Sequence, residues 1–142
     1  MKTRVPIIIL PERRTVRLPV GKIRNVALRI YSEENISFHK PANLICCSDY
    51  SIRKLNREYR SLDKATDVLS FPFDDNDFLG EIYISLKRTA VQARKFGTTF
   101  QEEFLRLFVH GMLHLTGYDH MKPVERSLMN RAENHYLGKQ MY

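Results

Sequence analysis

Three of the five histidines fall within eleven residues, in the segment HGMLHLTGYDH at 110–120 of the 142-residue chain. A helix places residues four apart on one face, so His110 and His114 can reach a single ion. Gly117 allows the left-handed backbone that ends a helix, and the following loop can then return His120 toward the same point. The segment therefore predicts a helix, a reversal of the chain direction at Gly117 and a loop that returns His120 toward the helix.

Three histidines that leave one coordination position open are typical of catalytic zinc, whereas structural zinc sites usually have four ligands and favour cysteine. The two cysteines, Cys46 and Cys47, are adjacent, which suits neither a thiolate metal site nor an ordinary disulfide. We interpret them as buried strand residues in a reducing compartment. The histidine spacing predicts a site for one Zn²⁺ ion per chain, the alternative being histidines with a purely structural role.

A peptidase is a further alternative, because histidines at these positions with a glycine at 117 also match the ligand pattern of metzincin proteases. In those enzymes a glutamate after the first histidine is the general base, whereas Gly111 occupies that place here. A peptidase would need a base from elsewhere. Hydrolysis by a zinc-bound water, whose pKa zinc lowers to about 7, stays open.

The formal net charge of +7 is concentrated at one end of the chain. Residues 1–30 carry eight basic residues and one acidic residue, and the other 112 residues carry 15 of each sign. A basic segment of this kind attracts polyanions, nucleic acid above all, although anionic lipid or solubility would use the same charge. The charge alone therefore indicates a polyanionic partner without choosing one.

Length and composition limit the remaining classes. The chain is 43% hydrophobic and 27% charged, which excludes collagen-like, low-complexity and disordered proteins. No apolar run approaches the ~20 residues of a membrane span, and the run at 7–10 is too short for a signal peptide. We expect a soluble, cytoplasmic protein with no membrane partner, folded as one domain over residues 1–142.

Hydrophobic periodicity predicts strands and helices mixed along the chain. The helix after Ser48 should turn Ile52, Leu55 and Tyr59 inward. Strands are predicted at 5–10, 42–47, 68–73 and 81–86, and helices at 20–31 with a basic outer side, 49–60, 87–96, 100–116 and from 124 onward. Capping signals are Ser48, a Thr99–Glu102 capping box and the glycines Gly97 and Gly117. The fold class is α/β (α+β), a single compact domain in which an approximately four-stranded mixed sheet packs with several helices, one bearing the HxxxH pair.

Arg53, Arg57 and Arg60 lie at helical spacing before the segment TDVLSFP at 66–72. Such a row most often forms a solvated helix face, but guanidinium groups also suit two-point contacts with phosphate. The row alone does not decide between these readings.

Together these segments resemble the YbeY-type family of bacterial metal-dependent endoribonucleases, also called rRNA maturation factors. The resemblance covers most of the chain and rests on the block ending in Arg60, residues 66–72, a turn at 80–82 and the histidine segment 110–120. The chain departs from the family pattern at three positions. Pro is usual where Ala65 stands, Gly is common at Ser61, and Asp is common at Glu81.

The resemblance implies that His110, His114 and His120 bind zinc. It also implies that Arg60 is required for activity, and we expect Arg60 to stabilise negative charge on the scissile phosphate. Asp119 could orient an imidazole or a water. The arginines expected to contact RNA are Arg13, Arg14, Arg17, Arg53 and Arg57.

The activity implied is that of a zinc-dependent hydrolase, an endoribonuclease that prefers single-stranded RNA. It would act in maturation of the small-subunit ribosomal RNA 3′ end and in ribosome quality control, with ribosomal proteins or assembly factors as further partners. One alternative is an RNA- or ribosome-binding assembly factor whose zinc is mainly structural. A metalloprotease is the third possibility.

Overall fold

The computed structural model describes residues 6–12, 14, 16–119 and 121–138, which contain four strands and five helices. In chain order these elements are β1 (Ile7–Leu10), α1 (Val20–Glu33), β2 (Ala42–Cys47), α2 (Asp49–Arg60), β3 (Val68–Asp75), β4 (Phe78–Ser85), α3 (Leu86–Phe96), α4 (Phe100–Leu115) and α5 (Pro123–Leu137). The helices in this part of the chain include none that is both long enough and apolar enough to cross a bilayer.

The four strands form one mixed sheet in the order β1-β2-β4-β3. β1, β2 and β4 are parallel, and β3 runs antiparallel to β4 at the edge of the sheet. Asp75 pairs with Phe78 across a two-residue turn, so β3 and β4 form a hairpin. Pro72 suits this edge position, because proline lacks the N–H that an interior strand would need. The predicted α+β fold with a four-stranded mixed sheet is confirmed.

Gly80 lies inside β4 and not in the predicted turn at 80–82. Its φ is +153°, and a Cβ there would lie 2.4 Å from the Phe71 carbonyl oxygen and 2.8 Å from Leu115 Cδ2. Glycine is therefore needed where the last turn of α4 approaches the sheet. The two strands are longer than predicted because the hairpin turn uses only Asn76 and Asp77.

The main hydrophobic core lies among the sheet, α1 and α4. α5 packs against both of these helices from outside. Side chains with less than 2% of their surface exposed include Ile23, Ile30, Tyr31, Leu44, Ile82, Ile84, Phe104, Leu107, Phe108, Met112 and Leu113. The outer side of α1 carries exposed Lys22 and Arg24, as its amphipathic pattern predicted.

The two faces of the sheet differ along β4, because successive strand residues point to opposite sides. Ile82 and Ile84 are buried on the face that α4 covers. Glu81 and Tyr83 are half-buried on the other face, where α2 contacts β3 and β4. The histidine-bearing helix and the helix that ends at Arg60 therefore pack on opposite faces of the sheet, and both contact its edge strand β3.

The predicted caps are largely confirmed. The Ser48 and Thr99 hydroxyls accept hydrogen bonds from the amides of Ser51 and Glu102, each at 3.1 Å, at the starts of α2 and α4. Gly97 ends α3 with φ +68°. α4 ends at Leu115, and Gly117 takes a φ of +110° in the reversal that follows.

Cys46 and Cys47 are free cysteines on β2, the first buried and the second half-buried. As neighbours on a strand they point to opposite faces of the sheet, so they do not suit a common disulfide or metal site. Burial raises the pKa of the Cys46 thiol to about 11 and that of Cys47 to about 12. Both remain thiols at neutral pH, in agreement with their interpretation as strand residues.

Candidate metal centre

The C-terminal half of α4 carries His110 and His114 one turn apart, as the spacing predicted. Their rings meet edge to face, with centroids 4.8 Å apart. The two Nε2 atoms are 3.2 Å apart. Both residues are half-buried.

The separation of the two nitrogens fits a shared zinc ion. Tetrahedral zinc binds histidine nitrogens at about 2.0–2.1 Å, which places two such ligands about 3.3 Å from each other. The observed 3.2 Å between the Nε2 atoms is close to that separation. Imidazole is also a donor that zinc prefers. The donor set and its spacing therefore suit zinc.

Glu133 of α5 orients the first of these rings. Its Oε1 lies 2.5 Å from His110 Nδ1, and the two side chains are only 13% and 23% exposed. An ionised carboxylate can only accept, so it holds the imidazole proton on Nδ1 and leaves the Nε2 lone pair directed to the ion position. The ring orientation is thus fixed by a contact between two helices.

Sequence reasoning missed Glu133. It lies 23 residues after His110 and belongs to no motif. The available signal was its position on α5, four residues after the buried Met129 and three before the buried Tyr136. A carboxylate on the inward face of a helix needs a partner, and that partner could have been sought among the histidines.

The loop after α4 carries the other two residues predicted for this site. His120 lies outside the residues that the structure describes. Asp119 is exposed, and its Oδ1 accepts the Met121 amide at 3.2 Å. Among the described residues, no three His, Cys, Asp or Glu side chains converge as a metal-binding group. The structure therefore brings two of the three predicted ligands together and leaves the role of Asp119 as a prediction.

Gly111 faces the sheet, where no side chain would fit. A Cβ at this position would lie 2.7 Å from Ile82 Cγ2 and 3.1 Å from Ser70 Oγ. Ile82 is fully buried, so it has little room to move away. A glutamate base after the first histidine, as in metzincins, is thus sterically excluded. This is a physical reason for the departure from the protease pattern.

Arg60 is connected to the histidine helix through the edge strand. It is the last residue of α2, and its Nη2 donates to the Ser70 carbonyl at 2.8 Å. The Ser70 hydroxyl in turn donates to the Gly111 carbonyl at 3.2 Å. The guanidinium carbon also lies 5.4 Å from the centre of the Phe71 ring. Two hydrogen bonds thus join Arg60 to the residue beside His110.

The other two arginines of α2 face Asp63. Arg53 makes a two-point contact with its carboxylate, at 2.9 and 3.2 Å, and Arg57 Nη1 lies 3.8 Å from Oδ1. The hydrogen bond from Arg53 lowers the pKa of Asp63. A phosphate contact by Arg53 would have to displace this pairing, whereas Arg57 is held more loosely. Their RNA role stays a prediction.

Arg14, one of the arginines predicted between β1 and α1, lies apart from Arg60. Arg14 donates to the Pro11 carbonyl at 2.9 Å and lines a cavity of about 610 Å³ with Asp49, at the start of α2. Arg60 ends the same helix, about 17 Å away along an axis that rises 1.5 Å per residue. Arg17 is exposed, and Arg13 lies outside the described residues. RNA reaching both regions would therefore span the length of α2.

Comparisons with known proteins identify the family to which the chain is related. The sequence model of the family described as Endoribonuclease YbeY matches residues 12–140. Endoribonuclease YbeY of Clostridium botulinum (strain Loch Maree) is 34% identical over 141 residues, covering 82% of this chain and 85% of that protein. Its counterpart in Pelotomaculum thermopropionicum is 36% identical over 128 residues, 84% of each chain.

A solved structure of similar sequence has a similar fold. The solution structure of TM1509 from Thermotoga maritima superposes with a TM-score of 0.63 at 32% identity, covering 92% of this chain and 86% of that one. The resemblance drawn from the histidine segment and the block ending in Arg60 is thereby confirmed. The chain belongs to the YbeY family of endoribonucleases.

Proposed function

We propose that this protein is a zinc-dependent endoribonuclease that cuts single-stranded RNA during maturation of ribosomal RNA. The observation that carries the proposal is the convergence of His110 and His114, with Nε2 atoms 3.2 Å apart, in a chain of the YbeY family. That family makes the chain a hydrolase of RNA. The sterically closed position at Gly111 and the family match both disfavour the metalloprotease alternative.

His110, His114 and His120 are the proposed ligands of one Zn²⁺ ion. Bound there, zinc would supply a Lewis acid for a phosphate oxygen and a lowered pKa for a water molecule. The protein contributes the orientation of the ligands: Glu133 holds the proton on His110 Nδ1, so that Nε2 is the ring nitrogen presented to the ion. Asp119 is proposed to help hold the loop that carries His120, since its carboxylate already accepts a loop amide.

Arg60 is the proposed partner of the scissile phosphate. Its bond to the Ser70 carbonyl and its place over the Phe71 ring fix the guanidinium before RNA binds. A donor fixed in advance stabilises developing negative charge without the cost of reorganisation. Arg60 and the metal would then act on one phosphate, while more distant arginines provide general attraction for the RNA chain.

Replacing Glu133 with glutamine should weaken zinc binding while leaving the fold intact. The amide has the size of the carboxylate but lacks the charge that holds the His110 proton on Nδ1. Outer partners of this kind typically contribute about 10- to 100-fold to metal affinity. We expect the zinc dissociation constant, measured by competition with a chelator, to rise by that factor.

Glu125→Gln is the matched control, because Glu125 lies on the same helix but in its first turn. It should bind zinc like the wild-type protein. Equal zinc affinity in Glu133→Gln and Glu125→Gln would contradict the role assigned to Glu133. The melting temperature of both metal-free variants should stay near that of the wild type.

The biological part of the proposal is processing of the small-subunit ribosomal RNA 3′ end and ribosome quality control in the cytoplasm, with ribosomal proteins or assembly factors as partners. Support comes from the family's endoribonuclease activity and from the basic first 30 residues. Arg14 and Arg17 are proposed RNA contacts in that segment, as is Arg13.

The test is cleavage of a precursor RNA containing the small-subunit 3′ end by zinc-loaded, untagged protein, with both product ends mapped. We expect internal cuts in unpaired segments and protection of a matched duplex. RNA binding without any cleavage would contradict the proposal and would support an assembly factor whose zinc is structural. The chemical form of the product ends would also identify the attacking oxygen.

A further inference from the structure

Tyr59 occupies a different position from the one that the helical pattern predicted. The apolar spacing predicts Tyr59 on the inward face of α2, but 66% of the residue is exposed. Asn56 is buried in its stead, and its side-chain amide donates to the Lys64 carbonyl at 2.9 Å. A large aromatic side chain is therefore left at the surface, directly before Arg60.

The Tyr59 ring has a fixed place at that surface. Its centroid lies 5.5 Å from that of Phe71 in an edge-to-face contact, and Phe71 lies 5.7 Å from Tyr83 in the same arrangement. The guanidinium carbon of Arg60 also lies 5.4 Å from the centre of the Phe71 ring. The three rings form an aromatic row on the sheet face opposite α4, and Tyr59 is its exposed end.

The position of this row relative to Arg60 suggests a ligand. Phe71 contacts both the proposed phosphate-binding guanidinium of Arg60 and the exposed ring of the preceding residue, Tyr59. In RNA a phosphate and its base are joined through one ribose, so a nucleotide held at one such group presents its base to the other. Aromatic side chains bind unpaired bases by stacking, and they do so for every base type.

We infer that Tyr59 is a stacking platform for the unpaired base of a nucleotide adjoining the phosphate held by Arg60. The inference rests on the proposed endoribonuclease function and adds a subsite to it. A base can stack on Tyr59 only when it is free of a duplex, so the subsite would contribute to the preference for single strands. It would discriminate little among the four bases, because each has an aromatic face.

The test compares cleavage of a short single-stranded RNA by the wild type, Tyr59→Ala, Tyr59→Trp and Tyr50→Ala. Tyr50 is the control, since it is 77% exposed and lies in the first turn of the same helix. We expect Tyr59→Ala to lower kcat/KM about 5- to 150-fold, mainly through KM, which is the usual loss for one stacked base. Tyr59→Trp should retain activity, Tyr50→Ala should cut normally, and zinc content should be equal in all four.

A second substrate distinguishes stacking from a structural effect. This substrate is the same RNA with one abasic nucleotide beside the cut. For the wild type, the abasic RNA should lower kcat/KM by the same factor as the Tyr59→Ala substitution does on the intact RNA. For Tyr59→Ala, kcat/KM should be the same on the abasic and the intact RNA. An abasic penalty that persists in Tyr59→Ala, or normal cleavage by that variant, would overturn the inference alone. Failure of the zinc-loaded wild type to cut any RNA would overturn the proposed function and the inference with it.

Discussion

RNA cleavage by His114→Ala protein should fall to the background level, a loss on the order of 10³-fold or more in kcat/KM. His114 and His110 present their Nε2 atoms 3.2 Å apart, a spacing that suits two ligands of one ion. Removing one imidazole leaves two of the three proposed ligands, so zinc content should fall with activity. A labelled single-stranded RNA and elemental analysis of the same preparation measure both quantities.

His135→Ala is the control for this prediction. His135 is an exposed histidine on α5 whose Nε2 contacts Glu33 at 2.6 Å, and it has no proposed part in zinc binding. This variant should keep both zinc and cleavage. Cleavage that persists undiminished in His114→Ala would show that the activity comes from another site or from a contaminating nuclease.

Arg60→Ala should lose about 10²- to 10³-fold in kcat while keeping its zinc, which separates it from the histidine variant. The size of the loss is that of removing one fixed donor from a developing negative charge. The side chain is fixed by the Ser70 carbonyl at 2.8 Å and does not itself contact His110 or His114 in the described structure. Single-turnover cleavage at saturating protein measures the step directly.

Arg60→Lys should recover only part of this loss, because an ammonium is a point charge that cannot make the two-point contact of a guanidinium. Lys54→Ala is the matched control, since Lys54 is another exposed basic residue of α2. It should cleave like the wild type. Wild-type kcat in Arg60→Ala would remove Arg60 from the mechanism, and loss of zinc in that variant would assign it a structural role.

Features of the fold governed by local chemistry were predictable from the sequence. Ser48 and Thr99 cap helices because their hydroxyls accept amides only three residues away. Gly80 was predicted in a turn, but the need for glycine at this position comes from residues distant in the sequence. The residue is required by the approach of Leu115, 35 positions later in the sequence, to the Phe71–Gly80 part of the hairpin.

In the candidate site, too, the residues set by local spacing were predictable and those set by packing between distant segments were not. His110 and His114 were found because helical spacing alone puts them together. Glu133 was missed because its contact with His110 depends on how α5 packs on α4. Tyr59 was assigned to the wrong side because α2 buries Asn56, which binds the following loop through Lys64. Hydrophobic periodicity reports on a single helix, so it cannot predict the contact between Asn56 and the loop at Lys64.

Zinc titration of metal-stripped wild-type protein tests the central claim most directly. Chelator-treated, untagged protein is mixed with increasing zinc, and the initial rate of single-stranded RNA cleavage is recorded. The account predicts no cleavage without zinc and a linear rise that ends at one zinc ion per chain. Metal-free protein that cuts RNA at the zinc-loaded rate would contradict it.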